Sequence, residues 1–151
     1  MREKNIFSDE YFMKQALLQA QIAADKGEVP IGAVVVCNNQ IISRAHNLSE
    51  TLNDATAHAE MQAITAASNY LGAKYLQDCT LYVTAEPCVM CAGATYWAQI
   101  GKIVYGTPDD KRGFSVFNRN IIHPQTTLIK GVYEKQCSEL ITNFFYSLRR
   151  K

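Results

Sequence analysis

No apolar run in this sequence approaches the roughly 18 to 20 residues that a membrane span requires, which argues against a helical membrane protein. The polar opening "MREKNIFSDE" lacks the apolar core of a secretory signal, so a cytoplasmic protein is expected. Charge of one sign is equally scarce. With 15 basic and 14 acidic residues the formal net charge is +1, so composition does not argue for a nucleic-acid, membrane or acidic partner, and a polyanion site would have to be a local patch.

Cysteine is limited to five residues and histidine to three. The odd cysteine count, without the regular spacings of a disulfide framework, fits reduced thiols in the cytosol. A close pair such as Cys88 and Cys91 then points to metal or redox chemistry. Internal repeats, low-complexity tracts and linkers are lacking too. A chain of 151 residues, 48% of them hydrophobic, has enough apolar content for one core and is expected to form a single domain over 1–151.

Ser8 is placed to cap a helix over "DEYFMKQALLQAQIAADK", with Tyr11, Phe12, Leu18 and Ile22 as its apolar face and Gly27 as its end. The run "IGAVVVC", a turn at "NNQ" and the run "IISRAHN" form a hairpin. Helices follow at "TAHAEMQAITAASNYLG", closed by Gly72, and at "CVMCAGATYWAQIG", closed by Gly101. Strands are expected at "TLYVTA", "KIVYG" and "TLIKGVY". A final helix runs from about Glu134 to Arg150. Residues 107–126 have no clean periodicity and read as a long functional or partly ordered loop. Alternating strands and helices predict parallel crossovers with helices on both faces, and antiparallel pairing only in the opening hairpin.

The chemistry concentrates in "TAHAE", Thr56 to Glu60, and "PCVMC", Pro87 to Cys91. Cys88 and Cys91 lie at i and i+3 in a first helical turn, where both sulfurs face one point. Pro87 suits the start of that helix, where its missing N–H costs nothing. On an ideal helix His58 and Glu60 are about 200° apart. Side chains tilt toward the helix N-terminus, however, so both can reach a point just beyond that end. Two such helix starts aim positive dipole ends at one place, which favours thiolate.

One His and two Cys make three ligands, the number used by catalytic zinc, whereas a closed structural site needs a fourth from His46, His123, Cys37, Cys79 or Cys137. Zinc lowers the pKa of a bound water, and Glu60 can carry its proton to a departing nitrogen. The bland alternative, a helix-start histidine and two small buried cysteines, accounts for either half alone but not for both at strand-to-helix junctions.

These residues resemble the cytidine deaminase superfamily of zinc nucleobase deaminases, which carry HxE and PCxxC signatures. The likeness is greatest to the tRNA-specific adenosine deaminase branch. It rests on "GEVPIGAVVV", "HN" at 46–47, "TAHAEMQAI", "LYVTAEPCVMCAGA", "KIVYG", "HP" at 123–124 and "FFYSLRRK". The resemblance implies an α/β fold, a three-layer α/β/α sandwich on a five-stranded mixed sheet, and a homodimer. It also implies zinc on His58, Cys88 and Cys91, with Glu60 as proton shuttle. Asn47 and Ala59 would contact the base, Val29 and Pro30 would line the pocket, and Asp109 and Lys111 of "DDKRG" would meet nucleotides of a tRNA anticodon loop around the flipped base.

Three features depart from that branch. "YWAQ", Tyr96 to Gln99, stands where a His-Ser-Arg type run is common and is similar to the guanine deaminase branch, as is "SNYLGAKYLQDC"; Ala55 replaces a common proline. A free nucleobase or nucleoside, guanine first and then cytosine or adenine derivatives, is therefore the rival substrate. A zinc-stabilised RNA-binding protein without turnover is the rival of another class. Trp97 fits a dimer interface or a place near the pocket. Arg149, Arg150 and Lys151 fit either phosphate contacts or a solvated helix end.

Overall fold

The computed structural model describes residues 7–150. Five strands, β1 (Gly32–Cys37), β2 (Gln40–His46), β3 (Cys79–Ala85), β4 (Lys102–Thr107) and β5 (Thr127–Lys130), form one sheet in the order β2-β1-β3-β4-β5. Pairing is parallel from β3 through β5. The expectation that only the hairpin is antiparallel is corrected: β1 also pairs antiparallel with β3, Ala33 opposite Val83 and Cys37 opposite Cys79. β1 is the reversed strand and sits inside the sheet, so both its edges are antiparallel.

Alternation along the strands builds two cores. Ala33, Val35, Leu81, Val83, Ile103 and Tyr105 face α2 (Ala59–Leu71) and α3 (Val89–Ala98), packing with Ala59, Ala63, Ala67, Ala92 and Phe114. Val34, Val36, Tyr82 and Val104 face α1 (Asp9–Asp25) and α5 (Glu134–Arg149), packing with Phe12, Met13, Ala16 and Cys137. The result is the expected three-layer α/β/α sandwich.

Ser8 caps α1 by accepting from the Tyr11 amide, as its position predicted. The buried face of α1, however, is Phe12, Met13, Ala16, Ala20 and Ala23, while Leu18 is 55% exposed and Tyr11 and Ile22 also lie outside. Small side chains are needed there because α1 lies almost on the sheet: a Cβ on Gly32 would strike the backbone of Ala16 and Ala20.

Gly72 ends α2 with φ +63. At the end of α3 it is Gln99 that takes the left-handed conformation, φ 52, in place of the expected Gly101. Gly101 serves a close approach instead, since a Cβ there would meet the carbonyl oxygen of Gln77. The long loop after β4 is partly ordered, with a four-residue α4 (Phe114–Phe117) and a 3-10 turn (Arg119–Ile121).

Candidate zinc centre

Each of the three candidate ligands sits at a helix start. His58 is the N-cap of α2 and Cys88 the N-cap of α3, with Cys91 one turn into α3. Neither side chain serves as a cap for its helix, and the two face one another across the gap between the helices. His58 Nδ1 lies 3.6 Å from Cys88 Sγ and 3.5 Å from Cys91 Sγ. With metal–nitrogen near 2.1 Å and metal–sulfur near 2.3 Å at tetrahedral angles, zinc requires an N···S separation of about 3.6 Å. His58, Cys88 and Cys91 form the cluster among the described residues whose donor atoms could hold an ion, all within 4.8 Å of one another. The residues fit zinc in both spacing and donor type.

The electrostatics agree. A hydrogen bond from Cys91 lowers the Cys88 thiol to about 4 against the opposing effect of burial, and His58 helps. The same contact with Cys88, then burial, drives Cys91 strongly upward, so one proton stays on the pair. His58 is raised, first by its hydrogen bond to Cys88. A divalent ion would replace these protons and hold both sulfurs as thiolates. Glu60 is 4% exposed. Burial raises its carboxyl to about 7, the range in which a carboxylate both accepts and releases a proton near neutrality.

Backbone hydrogen bonds connect several of the remaining predicted residues with their neighbouring segments. Asn47 is buried at the end of β2. Its amide donates to the carbonyl of Ile31 at 3.1 Å, and its side-chain oxygen accepts from the Ser49 amide at 3.2 Å. Val29, half-buried, and Pro30, buried, lead into Ile31, so Asn47 and the "VP" segment are neighbours. Ala59, fully buried, is the first residue of α2. Asp109 acts first on its own loop, its Oδ1 accepting from the amides of Lys111 and Arg112. Lys111 and Arg112 themselves are exposed. This loop is docked on the start of α3: Gly113 bridges Cys88, and the Phe114 amide donates to the Pro87 carbonyl at 2.9 Å.

Sequence reasoning missed three residues that hold these pieces in place. Glu28, 0% exposed, accepts from the Glu50 amide and from both the amide and hydroxyl of Thr51, fixing the loop between β2 and α2. Glu86, also buried, accepts from the Asp109 amide and from the amide and hydroxyl of Ser115. Gln62 donates to the carbonyls of His46, Ala57 and His58 at 2.9, 3.1 and 3.4 Å, joining the end of β2 to the start of α2. The signal for both acids is visible: each interrupts or borders an apolar stretch just before a loop, in "GEVPIGAVVV" and "LYVTAEPC". A buried carboxylate there requires donors.

Trp97 is 78% exposed on α3, edge-on to Tyr96, whose ring also packs on His123. Arg150 lies over the ring of Tyr146; Lys151 lies outside the described residues. Among those residues no helix is long and apolar enough to cross a membrane.

Helix starts that converge three soft donors and a buried, non-ligating carboxylate at one end of a mixed sheet belong to the class of zinc-dependent hydrolytic deaminases. Within that class the chain is a member of the cytidine and deoxycytidylate deaminase family, whose zinc-binding region matches residues 7–107. It is 46% identical over 148 residues to the tRNA-specific adenosine deaminase of Bacillus subtilis (strain 168), covering 95% of this chain and 92% of that protein. A tRNA-specific adenosine deaminase of Aquifex aeolicus is also 46% identical, over 93% of this chain. Among solved structures, one from work on A-to-I editing by tRNA:A34 deaminases superposes with a TM-score of 0.80 at 39% identity, covering 86% of this chain and 98% of that one. The guanine deaminase of Bacillus subtilis superposes with a TM-score of 0.64 at 43% identity, over 67% of this chain and 65% of its own.

Proposed function

We propose that this chain converts adenosine to inosine at the wobble position of a tRNA anticodon loop, as a cytoplasmic homodimer of single-domain subunits. His58, Cys88 and Cys91 hold zinc, which when bound supplies the Lewis acidity that activates water near neutral pH. Glu60 takes the proton of the attacking water and delivers it to the exocyclic nitrogen at C6. The carbon thereby gains oxygen, and nitrogen leaves as ammonia. Asn47 and the Ala59 backbone orient the base, and Val29 and Pro30 close the pocket around it. Asp109 shapes the loop that offers Lys111 to flanking nucleotides.

The observation that carries the RNA substrate is the placement of the exposed Lys111 and Arg112 on a loop whose Gly113 bridges the ligand Cys88. Cations at the rim of a base pocket suit phosphates on either side of a flipped nucleotide. Relatives named for tRNA adenosine support the same reading over nearly the whole chain. The likeness to a guanine deaminase and the "YWAQ" segment favour a free purine as the second reading.

The test is parallel incubation of zinc-loaded protein with an adenosine-wobble anticodon stem-loop, guanine, cytosine and adenosine, following ammonia and product mass. Inosine in the RNA is expected. Turnover of a free base with none in the RNA would replace this reading with the second, and no turnover of any substrate would favour a zinc-stabilised RNA-binding protein.

A further inference from the structure

Two of the three cysteines outside the zinc centre are placed opposite one another. Cys37 ends β1 and Cys79 begins β3, and they are direct cross-strand partners in the antiparallel pairing. The Cys79 amide donates to Leu76 and its carbonyl accepts from Gly101, so both backbone groups point away from Cys37. On the other side, Asn38 and Asn39, with φ 51 and 61, make a two-residue hairpin turn that pairs Cys37 with Gln40. The backbone groups of Cys37 are thereby directed to β2. Cys37 and Cys79 therefore form a non-hydrogen-bonded cross-strand pair. In that arrangement Cα atoms are about 4.5 Å apart and side chains are closest, within the range a disulfide spans.

Access is unequal. Cys37 is half-exposed beside the exposed tip Asn38–Asn39, whereas Cys79 is 2% exposed. The pair lies at the start of β3, and Cys88 and Cys91 follow the other end of that strand.

We propose that Cys37 and Cys79 are a reversible thiol–disulfide modification site that reacts with low-molecular-weight disulfides. The Cys37 thiolate attacks one sulfur of the small disulfide, forming a mixed disulfide and expelling one small thiolate. The Cys79 thiolate then attacks the Cys37 sulfur, forming the Cys37–Cys79 bond and expelling the second. The two protein thiols lose two protons and two electrons, and the small disulfide is reduced to two thiols. Burial keeps Cys79 from meeting the oxidant first, while the register holds it beside Cys37 for the second step. The site is independent of the deaminase reading.

The experiment treats reduced, zinc-loaded full-length protein with oxidised glutathione, alkylates the remaining thiols and maps peptides by mass. The expected product has the Cys37 and Cys79 peptides linked, a mass lower by two hydrogens, and full recovery of alkylation at both positions after dithiothreitol. In Cys79→Ser, and in Cys79→Ala as a second check on folding, a glutathione adduct should accumulate on Cys37. Unmodified Cys37 and Cys79 under conditions that oxidise Cys88 or Cys91 would overturn the proposal. So would failure of both Cys79 variants to trap the adduct.

Discussion

The side-chain amide of Gln62 donates to the carbonyl oxygen of His46 at 2.9 Å, fastening the end of β2, which carries Asn47, to the helix start that carries His58. The same nitrogen reaches the carbonyl of Ala57. Gln62→Leu leaves these acceptors without that donor, a loss worth about 1–3 kcal/mol. Because His58 is positioned by this contact, zinc retention against a competing chelator should weaken by about tenfold. Thermal unfolding and a zinc-competition titration check the two effects. Unchanged zinc affinity would confine Gln62 to stability.

Glu28 gives a pH dependence with a definite sign. Burial raises its carboxyl, but the hydroxyl and amide of Thr51, the amide of Glu50 and the nearby His46 outweigh that effect and leave it below its ordinary value of 4.5. A carboxyl lowered on folding contributes stability that is present in full above about 4.5 and is lost as pH falls through the folded value. Glu28→Gln should therefore be destabilised at pH 7, by about 2 kcal/mol for hydrogen bonds to a charged group. It should also lose less stability than the parent on acidification. Denaturant unfolding at pH 7 and pH 4 measures both, and parallel acid profiles would refute the assignment.

Gly113 leaves no room for a side chain, because a Cβ would meet the Glu86 carboxylate and the Asp109 carbonyl. Gly113→Ala should cost about 1–3 kcal/mol through overpacking. Since Gly113 bridges Cys88, turnover should fall with it. Ser115→Ala, which removes the hydroxyl donor to Glu86, should lower activity less, because the Ser115 amide still bonds the carboxylate. Steady-state rates of the two variants set the order.

Lys111 is exposed, while Asp109 is engaged with its own loop. Lys111→Ala should raise KM for the RNA stem-loop, leave kcat near the parent value, and reduce the slope of log affinity against log salt by about one. Asp109→Ala should instead disorder the turn and reduce kcat as well. Equal salt slopes for Lys111→Ala and parent would place the phosphate contact elsewhere.

The metal centre was legible because its residue types and spacing are local to two helix starts: His58 with Glu60, and Cys88 with Cys91, each cluster within one turn. The direction of β1 against β3 was not, since Gly32–Cys37 and Cys79–Ala85 are separated by a hairpin strand and a helix, and their apolar runs read alike in either orientation. Of the apolar residues marked for the buried face of α1, Phe12 is buried while Tyr11, Leu18 and Ile22 are not. Where helix backbone nearly touches Gly32, alanines go inward and Leu18 goes out. Gln62 reaches the His46 carbonyl 16 residues back, and the amides that donate to Glu86 lie 23 and 29 residues on; the sequence marks Glu86 as a carboxylate in need of donors but does not say which groups supply them.

In the proposed reaction a buried carboxylate, Glu60, moves a proton without holding the metal. Glu60→Gln preserves shape and removes that capacity, so zinc content per chain should stay at the parent value while inosine formation in the anticodon stem-loop falls by about 100-fold or more. Parent-level zinc together with parent-level turnover would contradict the account.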